Sequence, residues 1–289
     1  GPDGDAEPST APSVSPSASQ ETPAVAGTGF LEVTPSAAGT CSPADVYYTV
    51  GSAIWVYSAA TKKSTQLKSY SSTVDALAVS SNGYAYFLFA GTSQPRIYRV
   101  DLATGAESTF TGSTPIASSS WWVAGAVNPQ NGIYYYADSV GRIYAFDTNT
   151  DTPIGFVGQT SPAMPDDHGD LAFDSEGNLY LYWAGRAIMT AAAADVPVTA
   201  QSSGKTIAVV ETGNATLSDS GAYVSGLAWM SAETERQLWS TDYTHQNRGI
   251  DAQTPGIRSS LKQDALPLPG PASGYIYDIA SCPTAADPT

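Results

Sequence analysis

Positive charge is scarce in this sequence. Lys and Arg together number 12 against 27 Asp and Glu, which gives a formal charge of −15, and no basic cluster occurs anywhere. Binding to nucleic acid and docking on anionic lipid both need Lys and Arg to displace counterions or to contact headgroups. The composition argues against both functions. No apolar run approaches the roughly 20 residues of a membrane helix, so we expect no membrane insertion in this fragment.

Histidine and cysteine are scarce as well, with two residues of each. Two histidines are few for a zinc enzyme or a catalytic triad, and no Gly-x-Ser-x-Gly nucleophile elbow is present. We recognise no catalytic constellation and predict that the protein is not an enzyme. Glycoside hydrolysis stays open on composition alone, because it needs only two carboxylates that face each other across a cleft.

Residues 1–40 contain few large apolar side chains and are dominated by Pro, Ser, Thr, Ala, Gly and Glu. Such a segment cannot bury enough apolar surface to offset its chain entropy, so we predict a linker or stalk. Gly1-Pro2 is typical of the remnant that a protease leaves when it removes a purification tag, so the missing signal peptide means little. The predicted folded domain covers residues 41–289.

What the folded part contains is a repeated strand, tight turn and strand. The clearest copy is GDLAFDSEGNLYLY at residues 169–182, and weaker copies occupy residues 76–87 and 125–136. One alanine marks the first strand of each unit, and two degraded copies bring the number of these markers to five: Ala78, Ala126, Ala172, Ala228 and Ala280. Successive markers are 48, 46, 56 and 52 residues apart.

A second signature supplies the rest of each unit. It is an Arg-Ile-Tyr strand that ends in an Asp/Thr turn, at residues 96–105 and 142–150, and a further strand follows each copy. Four-stranded units at a period near 50 residues predict an all-β fold, a β-propeller whose blades bury both faces against their neighbours. Five first strands predict five blades, although the two long steps leave room for a sixth.

The two ends of the folded part predict how the ring closes. The fifth unit consists of its first strand alone, Tyr275–Ala280, because the given sequence has no further strand after it. At the other end, the segments 46–50, 54–58 and 64–68 form a unit that lacks its first strand. The C-terminus would therefore supply the innermost strand of the N-terminal blade. Cys41 and Cys282 then face each other at the broken hairpin, and we predict that they form a disulfide, which implies an oxidising compartment.

The strand order also assigns loops to the two ends of the propeller. The loops that precede each first strand, and those between second and third strands, lie at the end away from both termini. Three such loops carry candidate site residues, because binding residues are often found in loops on a rigid scaffold. The predicted ligand-binding residues are Trp121, Trp122, Asp167, His168, Asp170, Tyr243, His245 and Arg248.

Each candidate has a plainer alternative. Asp166, Asp167 and Asp170 could bind Ca²⁺ through carboxylate oxygens, or they could cap loop amides. One residue of the Trp121–Trp122 pair could stack on a sugar ring while the other is wedged between blades, and alternation along a strand predicts one of each. His245 with Arg248 could recognise an acidic group or lie in a solvated loop. No other cofactor is predicted.

A repeated aspartate stands near the start of three first strands. Asp170 and Asp278 occupy the same position in their units, and Asp75 lies one residue earlier in its own. These carboxylates could ring the channel mouth as a site. We favour an architectural hydrogen bond, because the residue recurs with the repeat itself.

The Asp-Leu-Ala-x-x-x-x-Gly-x-Leu-Tyr motif at 170–180 and the Arg-Ile-Tyr-x-x-Asp-x-x-Thr-Gly strand at 96–105 resemble bacterial propeller-repeat domains. Such domains are found in adhesin-like cell-surface proteins of Gram-positive bacteria, especially Actinobacteria. The resemblance covers residues 41–282 and is specific for the fold rather than for a function. It implies an extracellular, surface or cell-wall location and a monomeric domain of a larger surface protein.

These observations lead to three functional hypotheses. The first is an adhesin-type binding domain that recognises an extracellular glycan, or a protein of a host or partner cell, through the loops at the channel mouth. The second is a glycan-active hydrolase or lyase that uses channel-mouth acids such as Asp167, Asp170 and Asp278. The third is a structural spacer.

Overall fold

β-Strands make up almost all of the regular structure. The computed structural model describes residues 41–118, 121–183, 188–211, 224–232, 237–242, 247–250, 262–263 and 276–287. Within these ranges there is no α-helix, and the one helical element is a short 3-10 helix at Ala193–Asp195. None of the described residues forms a helix long and apolar enough to span a bilayer. The predicted linker at 1–40 lies outside the described residues.

The strands of the described residues form five sheets, which we number along the chain. Sheet 1 combines the C-terminal strand with three N-terminal ones, in the order Ile276–Ala280, Val46–Val50, Ala53–Ser58 and Lys63–Ser69. Sheet 2 contains Val74–Ser80, Tyr84–Phe89, Arg96–Asp101 and Glu107–Thr111. In both sheets each strand pairs antiparallel with the next.

The remaining three sheets follow the same order. Sheet 3 contains Trp122–Val127, Ile133–Asp138, Arg142–Asp147 and Thr152–Ser161, with Thr206–Ala208 added at its outer edge. Sheet 4 contains Gly169–Phe173, Leu179–Trp183, Met189–Ala191 and Val210–Glu211. Sheet 5 contains Val224–Trp229, Leu238–Asp242, Asn247–Ile250 and Lys262–Gln263.

The apolar core of the described residues is divided into five clusters, and each lies between two consecutive sheets. Sheets 3 and 4 share the largest, which includes Val123, Tyr135, Leu171 and Trp183. The cluster that includes Tyr48 and Trp239 joins sheet 5 back to sheet 1. A sheet that buries both faces against neighbours in a closed circle is the defining feature of a β-propeller. The predicted fold class, an all-β propeller, is therefore confirmed.

The ring closes through the C-terminal strand, as the broken repeat predicts. Ile276–Ala280 pairs antiparallel with Val46–Val50, with Tyr47 opposite Ala280. Cys41 and Cys282 lie next to each other beside this pair, with their Cα atoms 5.9 Å apart. Both are buried in the cluster between sheets 1 and 2.

The chain that follows the closing strand crosses the end of the ring where Cys41 and Cys282 lie. The backbone N–H of Thr284 donates to Ser231 Oγ at 2.9 Å, and that of Ala286 donates to Ser175 O at 2.8 Å. Gln130 Nε2 in turn donates to Ala286 O at 3.0 Å. Residues 284–286 are therefore tied to the turns of three sheets at this end of the ring.

One predicted strand is divided between two sheets. The sequence pattern predicts one strand at residues 205–210 as the outer strand of the unit that begins at Gly169. In the structure Thr206–Ala208 lies parallel to Thr152–Ser161 in sheet 3, and only Val210–Glu211 completes sheet 4. The long connection before it explains the difference, because Gln201 N–H donates to Phe156 O at 2.8 Å and holds the chain against sheet 3. The added strand covers an edge that would otherwise present unpaired backbone groups.

The inner strands of sheets 2 and 3 approach closely because Gly125 has no side chain. Ala76 stands at a bulge with a φ of 55°, and its carbonyl oxygen accepts a hydrogen bond from the Tyr134 hydroxyl at 2.6 Å. A Cβ atom on Gly125 would lie 2.3 Å from that same oxygen. Neither backbone can move without loss of the pairing on either side.

We expect Gly125→Ala to lower the free energy of unfolding by about 1–3 kcal/mol, because the added methyl group overlaps backbone rather than a flexible side chain. Gly204→Ala is the matched control, since no atom lies within 4 Å of its Cβ position. Its effect should stay within about 0.5 kcal/mol. Chemical denaturation measures both, and equal stability of the two variants would contradict the close approach.

Candidate functional site

A pocket of about 330 Å³ opens at the end of the propeller opposite Cys41 and Cys282. It lies where the chain enters the first strands of sheets 3 and 4 and where the second and third strands of sheet 3 are joined. The strand order predicts that loops of these types lie at the end away from both termini, which we call the far end. The lining residues are Trp121, Val123, Ser139, Asp166, Asp167 and His168.

Ser139 is held by the turn between two strands of sheet 3. Asp138 starts this turn, where its Oδ1 accepts hydrogen bonds from the backbone N–H of Val140 at 3.2 Å and of Arg142 at 2.9 Å. Its Oδ2 forms a 2.6 Å ion pair with Arg142 Nε. Trp183 Nε1 donates to Ser139 O at 2.9 Å, so the turn is fixed to sheet 4 as well.

The acidic side of the pocket is built by the loop before Gly169–Phe173. Ser139 Oγ donates to Asp166 Oδ1, which links this loop to the turn in sheet 3. The N–H of His168 donates to Asp167 Oδ1 at 2.7 Å, and the His168 ring lies 6.4 Å from the Tyr277 ring. The two carboxylates are thus oriented by contacts within the protein before any ligand arrives.

Burial lowers the pKa of His168 below its usual value, and the nearby Asp167 carboxylate opposes this shift only in part. The imidazole is therefore neutral at physiological pH, when one ring nitrogen is a donor and the other an acceptor. The pocket then presents two carboxylates and a neutral histidine, and no Lys or Arg is among the described residues that line it. This set can accept hydrogen bonds from hydroxyl or ammonium groups and disfavours anions.

The two neighbouring tryptophans have different environments. Trp121 is 40% exposed at the pocket, whereas Trp122 is fully buried. Trp122 Nε1 donates to Thr92 O at 2.7 Å, and its ring packs edge-on against Tyr136 and Tyr144. The expectation of one exposed and one wedged ring is confirmed, and Trp122 is a core residue rather than a ligand contact.

Asp170 does not belong to the pocket. Its carboxylate is fully buried in the core, where Oδ1 accepts hydrogen bonds from Gly125 N–H at 3.2 Å and Leu171 N–H at 2.7 Å. Oδ2 accepts a third from Leu227 N–H at 2.7 Å. The architectural interpretation is confirmed for this residue. A site that rings the channel mouth is not formed by Asp170, since all three bonds lie within the closed ring.

The predicted calcium set is not supported by this arrangement. Asp170 is separated from Asp166 and Asp167 by its role in the core, and Asp166 is engaged by Ser139. Over the described ranges, no three His, Cys, Asp or Glu side chains are grouped so that they could hold a metal ion. The structure leaves no residue of this set assigned as a metal ligand.

The third predicted loop, which carries Tyr243, His245 and Arg248, is described only in part. Tyr243 and His245 lie outside the described residues. Arg248 belongs to the strand Asn247–Ile250, where it is paired with Ser240 and Gln263, and not to the loop in which the sequence pattern placed it. Arg248 is in a strand because residues 247–250 pair with the second strand of sheet 5.

Sequence reasoning missed Ser139 and Val123. Ser139 lies in the short Asp138–Gly141 turn of sheet 3, which the repeat pattern treats as an ordinary connection. The assignment of loops to faces contained the needed signal, because this turn is on the same end as Trp121. Nothing in the local sequence distinguishes it from the equivalent turns of other sheets.

Comparison with known proteins supports the fold and no more. No protein-family model matches the chain, and no curated protein matches it either. A structure of U3-55K is similar over 83% of both chains, with a TM-score of 0.50 and 10% identity. The WD40 repeats of RRP9 give a TM-score of 0.47 and 10% identity over 83% of this chain and 82% of the other.

A structural-genomics protein of unknown function from Bacteroides thetaiotaomicron is similar at a TM-score of 0.50 and 14% identity. The alignment covers 84% of this chain and 62% of that protein. The two matches with a TM-score of 0.50 support the β-propeller fold alone, because identities of 10% and 14% carry no information on ligands.

We expect Trp121→Ala and Trp122→Ala to differ sharply although the residues are adjacent. Trp122→Ala should cost about 3–5 kcal/mol, because it empties a buried, ring-lined space. Trp121→Ala should cost about 1 kcal/mol or less, because its ring is partly in solvent. Thermal and urea unfolding of the two variants measure this, and a large loss for Trp121→Ala would place that ring in the core.

Proposed function

We propose that this chain is an extracellular binding domain of the adhesin type, and that the far-end pocket binds a glycan. The pocket is the observation that carries the proposal. It combines a 40% exposed tryptophan ring with two pre-oriented carboxylates in a space of about 330 Å³. Resemblance to bacterial surface propellers supplies the cell-surface setting.

The pocket chemistry suits a sugar. The Trp121 ring offers an aromatic face that complements the C–H face of a pyranose. Asp166, Asp167 and Ser139 can accept hydrogen bonds from ring hydroxyls on one side of it. Because the described lining residues include no Lys or Arg and the chain carries a formal charge of −15, neutral or amino sugars fit better than uronic or sialic acids. A protein ligand is the other outcome that the binding experiment distinguishes.

The glycan-active enzyme receives less support from the site. Its three named acids were Asp167, Asp170 and Asp278, and the last two are fully buried. Asp170 accepts three backbone N–H bonds and Asp278 Oδ2 accepts one from Leu77 at 2.6 Å. Two carboxylates committed to backbone amides are poorly placed to act on a glycosidic bond in the pocket.

The proposal also covers the number of blades, the disulfide that closes the ring and the monomeric state. We infer a five-bladed ring in which each sheet is one blade, closed by the Cys41–Cys282 disulfide and acting as a monomeric domain. Cys41 lies at the end opposite the pocket, where its Sγ contacts Ser80 O. A stalk that leads into Cys41 would hold the pocket away from the surface to which the protein is attached.

A glycan array, followed by calorimetric titration of the best ligand, tests the binding function. Trp121→Ala should weaken binding at least about tenfold, since aromatic contacts dominate such sites. Asp167→Asn should weaken an amino sugar more than a neutral one. Asp195→Asn is the matched control, because it removes one exposed carboxylate on a distant loop and should leave affinity unchanged. Binding that survives Trp121→Ala would move the site elsewhere.

Peptide mapping under non-reducing conditions should recover residues 41 and 282 in one cross-linked fragment. The bond closes a loop of 241 residues, so the Cys41→Ser/Cys282→Ser pair should lose about 2–4 kcal/mol of stability. A reductant should lower the melting temperature of the native chain and leave that of the double variant unchanged. Two free thiols in the native chain would contradict the closure.

A further inference from the structure

Three aspartates meet at the axis of the ring. Asp75, Asp170 and Asp278 come from the first strands of sheets 2, 4 and 1, and each side chain is buried to about 99% or more. The first strands of all five sheets contain no Lys, Arg or His, so no cation from these elements balances the carboxyl groups. Tyr134 is the titratable neighbour from sheet 3, and its hydroxyl donates to Ala76 O.

The hydrogen bonds to these carboxyl groups are unequal. Asp170 uses both oxygens to accept N–H bonds from sheets 3, 4 and 5. Asp278 Oδ2 accepts from Leu77 N–H at 2.6 Å, and Asp75 Oδ1 accepts from Ala76 N–H at 2.8 Å. The other oxygen of each, Asp278 Oδ1 and Asp75 Oδ2, is buried and receives no donor from the described residues.

The three carboxyl groups are neighbours, because Asp278 lies within side-chain hydrogen-bonding reach of both Asp75 and Asp170. Two ionised carboxylates in contact repel each other, and buried charges without partners are strongly unfavourable. A bound proton removes both problems. It turns an unpaired acceptor into an O–H donor, and the adjacent carboxyl group is its acceptor.

We propose that the cluster is a proton-binding site in which Asp75 and Asp278 are neutral carboxylic acids at neutral pH, each donating its O–H to a neighbouring carboxyl group. Asp170 is the first of the three to ionise, because three backbone N–H groups stabilise its anion. The bound protons thus complete a network that joins the first strands of all five sheets.

Burial is the main cause that raises the pKa of each of the three groups. It raises the pKa of Asp170 to about 8, and it raises those of Asp75 and Asp278 well above the usual value, with further increases from the neighbouring carboxyl charges. An unfolded aspartate is ionised above about pH 4. Folding therefore takes up protons, and stability falls as pH rises towards the folded pKa values.

His168 is the one other described group known to titrate nearby, and it acts in the opposite direction. Its lowered pKa makes stability rise with pH, and this contribution fades as the unfolded histidine loses its proton between about pH 6.5 and 7.5. The contribution is the same in wild type and in variants of the axial aspartates, so the difference between their slopes isolates the axial cluster. The buried tyrosine at the axis does not titrate between pH 6.5 and 8, because burial raises the pKa of Tyr134 well above 10.

Infrared spectroscopy tests the proposal on the native protein. Surface carboxyl groups are ionised at pH 7, so a carbonyl band of protonated carboxylic acid at that pH reports buried, neutral groups. We expect this band in the wild type and a loss of intensity in Asp75→Asn and in Asp278→Asn. Absence of the band in the wild type at pH 7 would overturn the proposal without reference to any variant.

Thermal unfolding between pH 6.5 and 8 gives a second, independent readout. Each proton taken up on folding changes the folding constant tenfold per pH unit, which lowers the melting temperature of a domain this size by about 3–5 °C. Asp75→Asn and Asp278→Asn each replace the O–H by an amide N–H donor, so each should stay folded and flatten the slope by one proton. Asp195→Asn, a surface control, should keep the wild-type slope.

The outcomes separate a proton from the other occupants of such a site. Equal slopes in wild type and both variants would show that the carboxyl groups bind no proton in this range and would overturn the proposal. A melting temperature that falls on addition of a chelator and rises with calcium would also overturn it, in favour of a divalent cation. Binding at the far-end pocket is unaffected by these results, so the two proposals fail separately.

Discussion

The structure depends on how the innermost strands satisfy their backbone. In each sheet the first strand has a partner on one side only, and its other edge faces the axis, where unpaired N–H groups would be costly. The carboxyl groups of Asp170 and Asp278 accept hydrogen bonds from the N–H groups of Gly125, Leu227 and Leu77 across this gap. Small residues permit the approach, because any side chain at Gly125 would overlap the backbone of Ala76. The ring is held at its centre by these hydrogen bonds and between neighbouring sheets by apolar clusters.

That arrangement divides the acidic residues by role. The aspartates of the first strands are buried and form hydrogen bonds within the scaffold. Asp166 and Asp167, which lie only a few residues before Asp170 in the chain, line the pocket instead. The same division applies to the tryptophans, since Trp122 packs between sheets and Trp121 faces solvent. A rigid ring therefore presents a small set of functional groups at one end, and residues 41 and 282 lie at the other.

Much of the site followed from loop position rather than from any motif. Trp121, Asp167 and His168 were identified because they precede first strands, and the structure brings them into one pocket with Asp166. Ser139 was overlooked because its turn looks like every other connection in the repeat. Asp170 was assigned to the ligand set because it belongs to the acidic group at residues 166–170, yet its side chain is fully buried in the core. Only neighbours that are distant in sequence, Gly125 and Leu227, determine that its carboxylate is already occupied.

The sequence alone determined the all-β propeller, the order of strands within each unit and the closure of the ring by the C-terminal strand. These are local or periodic properties, and they are indicated by glycines at turns, by alternating apolar residues and by the incomplete repeats at the two ends of the folded part. Tertiary structure decided which acids face solvent, why Thr206–Ala208 joins the neighbouring sheet, and that three carboxyl groups share the axis. Those outcomes depend on distances between strands far apart in the chain, which no spacing along one repeat can encode.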